Sequence, residues 1–292
     1  MIERDFGRTG LRVSALGLGA GQIGQDFVTP THAARVIDAA LDAGITLIDT
    51  ARGYGTSEEH LGRLLGARRD RIVLSTKGGY GIDGVDDWTP EAVRRGIDES
   101  LARLRTDRLD IYHLHSCPMT PTLRDDLIAV LHAARDAGKV RVPAYSGDNE
   151  HLTAAIASHG FGSIETSVNI ADQWSLHHAV MDAGALGLGV IAKRPAANNV
   201  WRHDRRPVGV YGETYWDRLR ELSYDVDLPA DEFALRFAVF APGVSSAIAG
   251  TADPAHVRHN AEMVAKGPLP ADVLAQVERR WQELGADWPG EV

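Results

Sequence analysis

The sequence contains very little cysteine. Among 292 residues only Cys117 carries a thiol, so an intrachain disulfide and a metal site built from several thiolates are both excluded. Chains without disulfides are typical of a reducing compartment, which predicts a cytoplasmic location. The small disulfide-stapled folds and the structural zinc modules are therefore ruled out.

Long apolar runs and an excess of positive charge are also missing. No stretch approaches the ~20 apolar residues that span a membrane, and residues 1–19 lack the apolar core of a signal peptide. The formal net charge is -9, whereas nucleic acids and anionic membranes bind basic faces. We therefore expect no targeting segment, no membrane partner and no nucleic-acid partner, and any anionic ligand needs a local cluster of cations.

The remaining composition is that of an ordinary globular protein, with 44% hydrophobic and 24% charged residues. Single α/β barrels commonly reach this length, so we expect residues 1–292 to form one domain. Short β-like runs alternate with helix-like runs along the chain. The predicted strands are 13–19, 45–49, 71–77, 109–115, 140–146, 162–170, 187–193 and 244–250. Eight such units favour a parallel (β/α)8 TIM barrel, although an open doubly wound sheet has the same alternation.

Local signals mark the ends of the predicted helices. Thr89 is a predicted N-cap with Pro90 at the first helical position. Glycines expected in the left-handed conformation after a helix are Gly44, Gly66, Gly138, Gly160 and Gly184.

Three segments fall outside the βα pattern. Residues 4–13 predict an N-terminal β-hairpin that plugs the barrel bottom, and residues 271–284 predict an extra C-terminal helix. Residues 196–229 are too long for an ordinary connection, so this segment is either a functional loop or a partly helical excursion.

Four polar residues lie at or just beyond the ends of neighbouring strands. Asp49, Lys77 and His115 end the second, third and fourth strands, and Tyr54 follows Asp49 between two glycines. Each residue alone has an ordinary structural interpretation, as a turn, loop or core residue. The carboxyl ends of barrel strands form the active site, however. The four residues together therefore predict a proton-transfer site.

The chain resembles the aldo-keto reductase family along nearly its whole length. The matching stretches are "RTGLRVSALGLGAG", "LIDTARGYGTSEEHLGRLL", "IVLSTKGG", "RTDRLDIYHLHS", "GKVR" and "SSAIAGTADPAHVRHN". The resemblance implies an NAD(P)H-dependent oxidoreductase that reduces an aldehyde or ketone to an alcohol, or catalyses the reverse reaction. It also implies the catalytic tetrad Asp49, Tyr54, Lys77 and His115.

Acid-base chemistry gives each tetrad residue a role. A carbonyl that accepts hydride develops negative charge on oxygen and needs a proton donor. A phenol has a pKa of ~10, and we expect the ammonium of Lys77 to lower the pKa of Tyr54. Asp49 would keep Lys77 charged, and a neutral His115 would orient the substrate oxygen.

The resemblance implies NADPH or NADH in an extended conformation across the barrel top. Residues 17–21, "GLGAG", lack the spacing of a Rossmann motif, and Gly21 is expected to allow close backbone approach to the coenzyme. Lys193 stands where an aromatic residue commonly stacks on the nicotinamide. With Arg194 it forms the local positive patch that a pyrophosphate requires.

The nicotinamide end departs from the family pattern. Many members have Ser-Asn where this chain has Ser146 and Gly147, so Asp148 or Asn149 is a candidate substitute for the missing amide. Where a Gln usually follows, the chain has Glu165, which can accept a hydrogen bond from the carboxamide but cannot donate one.

The adenosine end resembles the family's phosphate clamp, formed by Gly250, Thr251, His256 and Asn260. Many relatives carry Lys and Arg at the positions of Gly250 and His256. Because Thr251, His256 and Arg258 can still meet a 2'-phosphate, NADPH is favoured and NADH is the alternative.

The substrate is expected to be a small-molecule carbonyl compound contacted by Trp88 and Tyr80, and its identity and the oligomeric state are not predicted. Further substrate-facing candidates are Cys117, Trp201, Tyr211 and Trp216.

Two other functions are compatible with parts of the sequence. The pair His113 and His115 could begin a hydrolase metal site, but the later strands end in Ser146, Asn169, Lys193 and Gly250, so no metal is expected. A catalytically silent NADP(H)-binding sensor with the same fold is the second alternative.

Overall fold

Eight parallel strands close into a barrel in the computed structural model, which describes the backbone of residues 1–292 and every side chain except those of 121–124. The barrel strands are β3 (Leu16–Gly19), β4 (Leu47–Asp49), β5 (Val73–Gly78), β6 (Leu109–His115), β7 (Val140–Ser146), β8 (Ser163–Ser167), β9 (Gly189–Lys193) and β10 (Ser246–Gly250), and they follow a separate two-stranded sheet of β1 (Glu3–Asp5) and β2 (Arg12–Ser14). Strands β3 to β10 pair in chain order, and β10 closes the barrel against β3. The predicted (β/α)8 barrel is confirmed.

Helices surround the barrel. They are α1 (Pro30–Asp42), α2 (Ser57–Leu64), α3 (Pro90–Leu104), α4 (Pro121–Asp136), α5 (Asn149–Ala157), α6 (Met181–Ala185), α7 (Glu213–Leu222), α8 (Ala230–Val239), α9 (Pro254–Ala265) and α10 (Ala271–Leu284). A π-helical turn, Leu176–Val180, precedes α6. The predicted extra C-terminal helix is α10. Within the described part of the chain, none of these helices has the length and apolar character to cross a membrane.

The antiparallel hairpin β1–β2 closes the amino-terminal end of the barrel, as predicted. Phe6, Leu11 and Val13 pack against residues inside the barrel that include Leu47 and Ile111. Burying these side chains removes apolar surface from water and fills the bottom of the barrel. The open end of the barrel is therefore the one formed by the carboxyl ends of the strands.

Helix ends follow the sequence signals in most places. The Thr89 hydroxyl accepts a hydrogen bond from the backbone N–H of Ala92 at 3.2 Å, so the predicted N-cap is confirmed. Left-handed glycines occur as predicted at Gly44, Gly66 and Gly138.

Two predicted left-handed glycines are wrong. After α5 the left-handed residue is His159 rather than Gly160, and after α6 it is Gly187 rather than Gly184. Helix α5 ends at Ala157 and helix α6 ends at Ala185. The chain therefore reverses one residue earlier than predicted after α5 and three residues later than predicted after α6.

The long segment 196–229 is partly helical. It contains a 3-10 turn at Ala197–Arg202 and then α7. The interpretation as a partly helical excursion is therefore confirmed. Ala196, Asn198 and Asn199 also line the cleft described below, and a functional role for this segment stays a prediction. Several strands are shorter than predicted. The largest difference at a carboxyl end is in β8, which ends at Ser167, while Asn169 forms an isolated bridge to Asp172.

Candidate active site

A cleft of about 980 Å³ opens at the carboxyl ends of the strands. Asp49, Tyr54 and His115 line one end, and Thr251, His256 and Asn260 line the other. The predicted coenzyme residues Gly21, Ser146, Glu165, Lys193, Arg194 and Gly250 also line it. The cleft therefore brings together most of the residues that the sequence singles out.

Backbone hydrogen bonds fix the loop that carries Tyr54. The N–H of Arg52 donates to the carbonyl of Lys77 at 3.0 Å, and the N–H of Tyr54 donates to the carbonyl of Ala51 at 3.0 Å. Gly55 adopts φ +54°, a conformation that favours glycine. The turn after β4 thus holds the phenol near the mouth of the barrel.

The four predicted catalytic residues lie together. Lys77 is 0% exposed and forms an ion pair with Asp49 beneath the cleft. The Lys77 Nζ lies 5.3 Å from the centroid of the Tyr54 ring. The Tyr54 and His115 rings meet edge to face with centroids 5.9 Å apart. An ammonium therefore lies under a phenol that faces the cleft beside an imidazole.

A second carboxylate also contacts Lys77. The Oε1 of Glu165 lies 3.2 Å from the Lys77 Nζ. Although burial disfavours the ammonium, Asp49 and Glu165 raise the pKa of Lys77 above its usual value. Burial and the negative charge of Glu165 raise the pKa of Asp49 to about 6.

The expected lowering of the pKa of Tyr54 is not found. The Lys77 ammonium is the strongest single influence and lowers this pKa. Burial and the charges of Asp49 and Glu165 together outweigh the ammonium. The pKa of Tyr54 therefore lies above its ordinary value.

His115 is held neutral. Burial and the nearby Lys77 ammonium lower the pKa of His115 to about 2. The Nδ1 of His115 lies 3.1 Å from the hydroxyl of Tyr80, and Trp88 packs against Tyr80 with ring centroids 5.2 Å apart. The predicted substrate residues thus lie next to the imidazole, with Tyr80 in contact with His115 and Trp88 in contact with Tyr80.

The side chains around Gly147 explain why this position carries no side-chain amide. A Cβ atom added at Gly147 would lie 2.5 Å from the Tyr145 hydroxyl, so an Asn there would require Tyr145 to move. Asp148, a candidate substitute, is instead engaged with Lys193 at 2.6 Å and with Thr166 at 2.9 Å. The other candidate, Asn149, bonds to the backbone of Gly290.

The predicted cationic patch is present but engaged. Lys193 pairs with Asp148, and Arg194 donates to the carbonyl of Glu291 at 2.6 Å. The Arg194 guanidinium also lies 4.8 Å from the centroid of the Tyr211 ring. A pyrophosphate at this position meets cations whose charge is already partly compensated.

The adenosine end is less cationic than expected. His256 lies 3.3 Å from the Thr251 hydroxyl, and Asp231 pairs with His259 at 3.0 Å beside them. Arg258 lines a separate depression near the N-terminus instead. Among the described side chains that line the whole cleft, the Lys and Arg residues are Lys193, Arg194 and Arg202.

Several residues of the site carried no usable sequence signal. Gln22, Gln25 and Asp231 line the cleft from loops and from the start of α8.

Three buried side chains below the cleft have the spacing of metal ligands. Ligand atoms of Asp49, His113 and Glu165 come within 4.8 Å of one another. The Lys77 ammonium contacts both carboxylates of that group and supplies positive charge there.

The fold and the site together define a barrel enzyme with a buried ion cluster that supports a phenol. Residues 15–282 match the model of the aldo/keto reductase family. The chain belongs to the aldo/keto reductase family, and it is an oxidoreductase.

Named relatives and solved structures agree with this assignment. An aldo-keto reductase of Bacillus halodurans in its holo form superimposes with a TM-score of 0.84 at 27% identity, over 96% of each chain. A D-threo-aldose 1-dehydrogenase of a Pseudomonas species is 29% identical over 92% of this chain and 94% of its own. A 6-dehydroglucose reductase of Novosphingobium aromaticivorans is 34% identical over 52% of this chain, and the match spans only 54% of that relative.

Proposed function

We propose that the protein transfers hydride between a nicotinamide coenzyme and the carbonyl carbon of a small molecule, with Tyr54 as the proton donor. The observation that carries this proposal is the Lys77 ammonium 5.3 Å from the Tyr54 ring centroid, at the floor of an open cleft. Lys77 stabilises the phenolate that forms as the proton leaves. Neutral His115, beside the phenol, orients the substrate oxygen.

The cleft fits a nicotinamide dinucleotide. When bound, the coenzyme supplies the hydride that the chain's own residues cannot supply. The Oε2 of Glu165 is buried without a hydrogen-bond partner among the described residues, so it can accept a bond from a carboxamide. The N-terminus of α9, beside Thr251, favours an anion.

The experiment is a substrate screen. Loss of reduced-coenzyme absorbance is followed with aldehydes, ketones, quinones and aldoses, the last because two relatives are named for sugar substrates. We expect at least one class to be reduced by the wild type faster than by Tyr54→Phe. Equal rates for the two proteins across the whole panel contradict the proposal.

Coenzyme preference has its own test. We propose NADPH as the coenzyme, with weak discrimination against NADH, because His256 is an exposed group that faces Asp253 at 3.9 Å. His256→Arg adds a permanent cation at the adenosine end, and we expect the ratio of kcat/KM for NADPH over NADH to rise about tenfold.

Arg258→Gln is the matched control for coenzyme preference. Arg258 lies on the same helix but lines a different depression. We expect Arg258→Gln to leave the coenzyme ratio unchanged. If it lowers the ratio as much as His256→Arg raises it, the 2'-phosphate lies elsewhere than we propose.

A further inference from the structure

The Lys77 ammonium is shared between two buried carboxylates. Asp49 on β4 and Glu165 on β8 both lie within ion-pair distance of it. Glu165 is 1% exposed, so water screens its charge poorly. Lys77 thus faces Tyr54 with more negative charge around it than a single carboxylate supplies.

The histidines next to this cluster do not compensate the additional charge. The Nε2 of His113 lies 3.8 Å from the Oε2 of Glu165, but burial and Lys77 lower the pKa of His113 to about 3. His115 is neutral for the same reasons. The ionisable groups that act on Tyr54 and Glu165 are Lys77, Asp49, Tyr80, His113, His115 and Lys193.

We propose that Glu165 is a positioning residue that keeps Tyr54 a neutral phenol, extending proton donation to alkaline pH and confining the reverse reaction to still higher pH. The proposal rests on the proposed function, because it concerns the proton donor of that reaction. Glu165 acts through the Lys77 ammonium, whose stabilisation of a Tyr54 phenolate it weakens.

The same proton is transferred between Tyr54 and the substrate oxygen in both directions of the reaction. In reduction, the O–H bond of Tyr54 breaks, the substrate oxygen gains that proton, and the carbonyl carbon gains hydride from the reduced coenzyme. The phenolate then recovers a proton from water. In oxidation, the phenolate must form before the substrate hydroxyl can lose its proton, so any group that opposes the phenolate raises the pH that oxidation requires.

The charges in the site support this inference. Lys77 lowers the pKa of Tyr54, but burial, Asp49 and Glu165 leave it above the ordinary value. Removing one nearby negative charge changes a pKa by about one unit. Glu165→Gln keeps the shape of the side chain and removes the charge, so the pH midpoint of Tyr54 ionisation is expected to fall by about one unit.

The test is a titration that needs no catalysis. Near-ultraviolet tyrosinate absorbance is recorded against pH for each protein and its Tyr54→Phe counterpart, and the difference isolates Tyr54. We expect the midpoint to fall in Glu165→Gln and to stay at the wild-type value in Glu58→Gln. Glu58 is the matched control because it is equally buried at 1% exposure and bonds to Thr76 and Arg103.

Charge and packing are separated by a conservative variant. Glu165→Asp keeps the charge, and the midpoint of Tyr54 ionisation in this variant is expected near the wild-type value.

Kinetics give a second measurement of the same effect. The alkaline limb of kcat/KM for reduction should shift with the titration midpoint in Glu165→Gln. An unchanged Tyr54 midpoint in Glu165→Gln, or an equal fall in Glu165→Asp, overturns the inference, even if Tyr54→Phe is inactive. An active Tyr54→Phe overturns the proposed function instead, and the titration still decides the role of Glu165.

Discussion

Replacing Tyr54 by Phe is expected to lower kcat/KM for carbonyl reduction by about 10²- to 10⁴-fold, the range that general acid catalysis contributes. The substitution removes only the hydroxyl, and the ring keeps its contacts with Lys77 and His115. The substrate oxygen then loses the group that neutralises its charge as hydride arrives. Steady-state kinetics with a reactive aldehyde and a saturating coenzyme measure the loss.

Coenzyme binding is the control for Tyr54→Phe. In the proposed binding mode Thr251 and Glu165, rather than the Tyr54 hydroxyl, hold the dinucleotide, so quenching of protein fluorescence by NADPH should be retained. If the wild type binds NADPH but reduces no carbonyl compound faster than Tyr54→Phe, the chain acts as a coenzyme sensor rather than as an enzyme.

The barrel could be predicted because its signals are local and repeated. Strands β6 and β7 are almost entirely buried, and their ends coincide with the predicted ends. Helix ends were less predictable, because a glycine marks where a left-handed turn is permitted rather than where it occurs. At the end of α5 a histidine, His159, takes that conformation instead.

The proximity of the candidate residues could be predicted from the sequence, whereas the electrostatics around them could not. Strand ends and their order bring Asp49, Lys77 and His115 to one place in any parallel barrel. The charge balance around Lys77 depends on Glu165, which comes from the opposite side of the barrel, 88 residues further along the chain. A direct Lys77 effect on Tyr54 can be inferred from the sequence, whereas the opposing effects of burial and a second carboxylate require the folded geometry.

Replacing Lys77 by Met is expected to destabilise the protein by about 3 to 5 kcal/mol, because the change leaves two buried carboxylates without their cation. Thermal unfolding should show a Tm lower by roughly 10 °C. Glu165→Gln in the same chain removes one of the uncompensated charges and should recover part of the loss, so a double-mutant cycle in Tm or denaturant midpoint measures the coupling.

The pH dependence of Lys77→Met separates lost charge compensation from lost packing. The pKa of Asp49 is raised to about 6 in the folded protein, against ~3.9 for an unfolded Asp. The folded state therefore binds the extra proton, and the stability contributed by this group is present at low pH and falls as pH rises through about 6. Without the ammonium, the pH range in which protonated Asp49 stabilises the folded state extends to higher pH. The destabilisation caused by Lys77→Met should therefore be smaller in acid than above neutrality.

Lys266→Met is the control for burial, because it removes a 54% exposed partner of Glu232. It should cost less than about 1 kcal/mol, and a loss equal to that of Lys77→Met contradicts a special role for burial.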